Sequence, residues 1–202
     1  CLAGTRILVE ASIRDRFLEA FLAKARAIRQ GDPRDEATDI GPQISRAHFA
    51  RVDGFVQRAR AAGLRPVLGG GPNHDLGHLY YQPTLFVDPS AGSEILREEV
   101  FGPVLCLQSF EDEAEAISLA NDTEYGLAAV VMTGDEQRAE RVTSQVSAGL
   151  VWNNCFFVRD LRQAFGGNGK SGIGREGGTW SFDFYCDIKN SVYAPSGWRK
   201  NG

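Results

Sequence analysis

Cysteine becomes a nucleophile when its thiol loses a proton, and this chain has four: Cys1, Cys106, Cys155 and Cys186. No two form a CxxC pair, so the spacing gives no support to a zinc ribbon or a redox dithiol. No metal site is expected. Cys106 and Cys155 lie in apolar stretches and read as reduced core residues, which points to a cytoplasmic compartment. By residue type alone, a cysteine is more often a small buried hydrophobe than a reacting group. His48, His74 and His78 fall on a predicted helix or in a polar loop, so a cysteine hydrolase that uses a histidine base is a weak reading.

A second candidate is glycine-rich. Gly167-Asn168-Gly169-Lys170-Ser171-Gly172 fits GxGxxG, and Gly169-Lys170-Ser171 resembles the end of a phosphate loop. The Walker spacing fails because its first glycine falls at Ala164. The preceding Arg159–Gln163 is polar rather than strand-like, and no amphipathic helix follows. The seven glycines between 166 and 178 are read instead as letting the backbone turn tightly and lie close to another element.

The elements that must position these residues follow from periodicity. Thr5–Glu10 is β-branched and predicts a strand. Ser12 is expected to cap a helix carrying Phe17, Leu18, Phe21, Leu22, Ala25 and Ile28, ended by Gly31-Asp32-Pro33. Ser45 is expected to cap a second helix with Phe49, Val52, Phe55, Val56 and Ala59 on one face. Strands are predicted over Leu64–Leu68, Leu79–Val87, Val104–Phe110 and Gly149–Asn153. Leu127–Met132 has the continuous apolar character of a buried parallel strand. Helices are predicted from Glu111–Glu113 to Asn121 and over Asp135–Ser144, and a last strand over Phe182–Tyr193. The alternation of strand and helix predicts an α/β fold, with an open twisted, mostly parallel sheet flanked by helices.

Composition agrees with a globular core: 43% hydrophobic and 24% charged residues. The net charge of −4 and pI near 5.4 argue against nucleic acid as a partner. No apolar run approaches the ~18 residues of a membrane span. The chain opens on Cys1 and its one methionine is Met132. It shows no signal-peptide pattern, and residue 1 is expected to be internal to a longer protein.

Several segments, in order, resemble the C-terminal part of the aldehyde dehydrogenase family. They are Cys1-Leu-Ala-Gly-Thr-Arg6, Gly41-Pro-Gln43, Gln82-Pro-Thr84, Glu98-Glu-Val-Phe-Gly-Pro103, Asn121–Leu127, Phe165-Gly-Gly167 and Ser171–Glu176. Val158–Gln163 and Gly174–Ser181 further resemble the branch acting on carboxylated muconic semialdehydes. The sequence departs from the family at Ala164, where a proline is usual, and at Gly169, where the family lysine appears one residue late as Lys170.

The resemblance implies an aldehyde dehydrogenase catalytic domain over 1–180 and a C-terminal oligomerisation strand and tail over 181–202. It implies Cys1 as nucleophile, with the general base, a side-chain oxyanion donor and the Rossmann unit all upstream of it. Glu99 would accept hydrogen bonds from the nicotinamide ribose, and Phe101 would pack near the ring. Otherwise Glu99 is a solvated carboxylate in a charged run. The implied cofactor is NAD, with NADP not distinguished. His48 and Arg51 fall within reach of the other ribose by family position, and are read here as exposed helix surface.

Phe165 would line the substrate tunnel, or else pack in the core. Arg159 replaces an apolar tunnel residue of broad-specificity relatives and needs an anionic partner. That partner would be a substrate carboxylate, assisted by Arg162, or else Asp160. The implied partner is thus a small semialdehyde carrying carboxylates, acted on by a homodimer or homotetramer. The competing reading is a non-catalytic domain kept for assembly through its terminal strand.

Overall fold

The computed structural model describes residues 1–199. Strands β1 (Arg6–Glu10), β2 (Pro66–Leu68), β3 (Thr84–Val87) and β4 (Val104–Phe110) form one sheet in the order β1-β4-β3-β2. β1–β4 and β3–β4 are parallel, and only edge strand β2 is antiparallel. Helix α1 (Arg14–Arg26) covers one face, and helices α2 (Arg46–Ala61) and α3 (Glu94–Arg97) cover the other. Alternation along the strands sorts the side chains. Leu85, Leu107 and Val9 pack toward Phe17, Leu18 and Phe21, whereas Phe86, Val104 and Cys106 join Val52, Phe55 and Val56 of α2. The expected mostly parallel sheet, flanked by helices, is what forms.

The second half adds α4 (Glu113–Asn121), β5 (Tyr125–Gly126), β6 (Ala128–Val131), α5 (Glu136–Gln145), β7 (Leu150–Asn153), β8 (Asn168–Gly169) and α6 (Trp180–Tyr185). β6 and β7 pair in parallel, and β5 pairs with β8. Side chains cap three helices as residue type predicts. Ser45 accepts from the His48 N–H, Asp112 from Glu115, and Asp135 from Gln137 and Arg138. Arg6 on β1 donates to the Leu119 and Ala120 carbonyls at the end of α4, at 2.6 and 3.2 Å. A cation is favoured there by the exposed carbonyls of a helix C-terminus.

Four expectations are corrected. Ser12 does not cap α1: its hydroxyl donates to the Glu10 carboxylate, and Ala11–Ile13 form a 3₁₀ turn first. α1 stops at Arg26, ahead of the glycine, because Gln30 is drawn into a bridge with Ile40. The apolar run at Leu127–Met132 is parallel but only partly buried, because this sheet has two strands, and Met132 is 69% exposed.

The strand expected over Phe182–Tyr193 is not formed either. Phe182–Tyr185 lie in α6, and residues 186–199 carry no ladder. A strand exists only by pairing with another, and no edge adjoins this segment among the described residues. Residues 200–202 of the expected oligomerisation tail lie outside the described residues.

Candidate active site

The parallel register brings two candidate segments to the same end of the sheet. Arg6 pairs with Cys106, and Cys1 and Phe101 each lie five residues before their member of that pair. Both leave at the amino ends of neighbouring strands. An open parallel sheet by itself gathers ligands at the carboxyl ends, so this site is set by the loops that enter β1 and β4. Cys1 is exposed with a free thiol.

Glu99 and Phe101 occupy the loop between α3 and β4. Val100 between them is buried, which turns its two neighbours outward. The Glu99 carboxylate is exposed and has no hydrogen-bond or ionic partner among the described residues. The Phe101 ring is 53% exposed, and its backbone holds φ +58°.

Sequence reasoning passed over two residues that hold this loop. His48 Nε2 lies 2.7 Å from the Phe101 carbonyl, and Arg51 donates to the Glu99 carbonyl at 2.6 Å. Both had been read as exposed surface. The available signal was their spacing: 48, 51, 52 and 55 share one helical face, and Val52 and Phe55 were already assigned to the core.

The third cluster follows β7. Trp152 is buried and donates its indole N–H to the Val158 carbonyl at 2.8 Å. The next residue, Arg159, stands over the Phe165 ring with its guanidinium carbon 4.2 Å from the centroid. Phe165 is fixed by paired backbone hydrogen bonds with Glu176, at 2.7 and 2.8 Å. Asp160 does not pair with Arg159. It binds Arg162 through both carboxylate oxygens, and these hydrogen bonds hold its carboxyl below the usual range. Arg162 is therefore committed within the loop, whereas Arg159 has no ionic partner among the described residues.

The glycine tract is packed backbone. A Cβ on Gly149 would collide with the Gly166 carbonyl, and one on Gly177 or Gly178 with the carbonyls of Gln163 and Arg162. Lys170 is ion-paired to Glu124 at 2.6 Å. These contacts are the close approach that the glycines were expected to permit, and they press the turn of 174–178 against the loop bearing Arg159 and Phe165.

The pattern defining the aldehyde dehydrogenase family matches residues 1–191. 2-Hydroxymuconic semialdehyde dehydrogenase of Pseudomonas putida is 43% identical over 194 residues, covering 94% of this chain and 40% of the relative. Betaine aldehyde dehydrogenase of Sinorhizobium fredii is 42% identical over 199 residues, covering 98% of this chain and 41% of the relative. The crystal structure of betaine aldehyde dehydrogenase from Staphylococcus aureus in complex with NAD+ superimposes with a TM-score of 0.87 at 39% identity. It covers 92% of this chain and 37% of that one. This chain thus spans about two fifths of the length of these relatives. The match over nearly all its residues, the shared fold and the ordered motifs agree: the chain belongs to the aldehyde dehydrogenase family.

Proposed function

We propose that this chain supplies the nucleophile, part of the cofactor face and the acid-recognition site of an NAD-dependent dehydrogenase. Its substrate is a carboxylated semialdehyde. 5-Carboxymethyl-2-hydroxymuconate semialdehyde is the leading candidate, and 2-hydroxymuconate semialdehyde the next.

Cys1 Sγ, as thiolate, forms a bond to the aldehyde carbon, and the carbonyl π electrons move to oxygen. In the intact protein, the Cys1 backbone N–H would donate to that oxyanion. When the oxyanion re-forms its carbonyl, the carbon loses its hydrogen with both bonding electrons, leaving a thioester on Cys1. Attack by water on the thioester releases the carboxylic acid and frees the thiol. NAD, when bound, supplies the acceptor for the hydride. Glu99 would bind the ribose hydroxyls beside that acceptor, and Phe101 would offer it an apolar wall.

The observation that carries the substrate class is the division of labour between the two arginines. Asp160 is committed to Arg162, so the Arg159 guanidinium stands over an aromatic ring with no anionic partner among the described residues. A substrate carboxylate completes it in a charge-assisted pair. Such a bond contributes about 1.5–3 kcal/mol, which is roughly tenfold to a hundredfold in preference.

The competing reading is a cationic aldehyde such as betaine aldehyde, which the comparable identity of that relative favours. An unneutralised Arg159 opposes a quaternary ammonium by like-charge repulsion. In the intact enzyme, Arg159→Leu is expected to lower kcat/KM for a dicarboxylated semialdehyde at least about tenfold, while an uncharged aliphatic aldehyde changes little. A loss under twofold, or faster turnover of betaine aldehyde by the unaltered enzyme, would sink the assignment. Cys1→Ala is expected to abolish NADH formation with every aldehyde.

A further inference from the structure

The loop that bears Glu99 and Phe101 is in a conformation it would not hold alone. Phe101 sits at φ +58°, a region that L-residues other than glycine and asparagine seldom enter. Such backbone persists only where its surroundings over-determine it. Here the surroundings are one face of α2. His48 Nε2 meets the Phe101 carbonyl at 2.7 Å, and the imidazole packs edge-on to the Phe101 ring with centroids 6.1 Å apart. One turn on, Arg51 donates to the Glu99 carbonyl at 2.6 Å and stacks over Phe55, 4.9 Å from its centroid.

Val52, fully buried, closes the far side. A Cβ on Gly102 would lie 2.6 Å from Val52 Cγ2, so the loop's exit is pressed against the helix. The helix itself is registered by Ser45, whose side chain accepts from the His48 backbone N–H.

We propose that His48 and Arg51 are positioning residues that clamp the Glu99–Gly102 backbone so that the Glu99 carboxylate and the Phe101 ring face a bound nicotinamide nucleotide together. This rests on the dehydrogenase reading given above. His48 acts as an N–H donor to a carbonyl, which a neutral imidazole can do from Nε2. A glutamine amide has nearly the same reach and the same donor, whereas leucine fills the space without one. Arg51 is a donor on a long stem, which methionine copies in shape alone.

The test uses the intact enzyme with 4-fluorophenylalanine at position 101, whose ¹⁹F resonance reports ring packing without any turnover. Direct NAD+ binding by calorimetry and steady-state KM against kcat complete it. His48→Leu and Arg51→Met are expected to move the fluorine resonance toward that of the free amino acid. They should also weaken NAD+ binding about fivefold, raising KM for NAD+ with KM for the aldehyde within twofold. His48→Gln is expected to restore most of both effects, which a purely structural role in α2 would not require.

If the resonance stays put in both His48→Leu and Arg51→Met, the clamp is wrong even where NAD+ binding changes. The same holds if His48→Gln behaves like His48→Leu. Should the unaltered enzyme bind no NAD+ at all, the dehydrogenase reading fails and takes the clamp's purpose with it. That outcome is distinct from a mutant resonance that does not move.

Discussion

Cys106 lies 3% exposed within the sheet, its Sγ 3.6 Å from the Ile95 carbonyl. Burial pushes its thiol up to about 12. At neutral pH it is a protonated packing group, which is what its apolar flanks suggested. Cys1 and Cys186 are exposed, and Cys155 is half-buried. Iodoacetamide on the native chain at pH 8 is expected to label Cys1 and Cys186 and to spare Cys106 until denaturant is added. Peptide mass mapping that finds native Cys106 alkylated as fast as Cys1 would overturn this packing.

At this scale the sequence was legible for Cys106, whose apolar flanks announce its burial. It was not legible for His48 and Arg51. Their partners lie 53 and 48 residues away, and helical spacing tells which residues share a face, not which loop that face meets. The pairing of Arg162 with Asp160 was hidden for a related reason. Two arginines flank one aspartate, and only loop geometry decides which of them it binds.

Among the elements, the apolar strands β3 and β4 and the amphipathic α2 could be read directly, because burial of one face or both imposes a period. The terminal strand could not. Phe182, Phe184 and their neighbours mix with polar residues in a way that suits an edge strand, but a ladder partner lies outside any local pattern. The glycine tract was readable as backbone contact because the phosphate motifs lacked their strand and helix.

That tract yields a strong test. A methyl group at Gly149 points at the Gly166 carbonyl, and a backbone oxygen held by packing cannot rotate aside. Gly149→Ala is expected to destabilise the chain by about 2–3 kcal/mol. The damage should be greatest in the loop of Arg159 and Phe165, seen as faster hydrogen exchange there. Wild-type thermal unfolding in this variant would contradict the contact.

Across the whole molecule, large apolar side chains remain uncovered. Leu161, Ile173, Ile188 and Tyr193 are 79–89% exposed, and most of the exposed aromatics fall after residue 155. Isolated surface apolar residues are unremarkable, but a concentration of them marks a surface made to be covered. We propose that the tail that follows α6 is an assembly segment, adding to the sheet edge of another subunit in a dimer or tetramer. Residues 1–202 alone are expected to bind the dye ANS and to self-associate in sedimentation experiments. The chain ending at residue 180 should associate less. A monodisperse, dye-silent monomer would refute the proposal.

Arg6 gives the edge strand a fixed lengthwise position. Among the described residues β1 has a neighbour on one side only, and strand pairing alone does not set a register. A slip of two residues, which keeps Val9 facing the core, would carry the reacting sulfur about 6.6 Å along the strand, far beyond the ~1 Å that costs roughly a hundredfold in rate. The guanidinium lodged against the last carbonyls of α4 acts as a detent that allows one notch. A chain lacking it can keep its melting temperature and still fail, because its sulfur would be parked at the wrong stop.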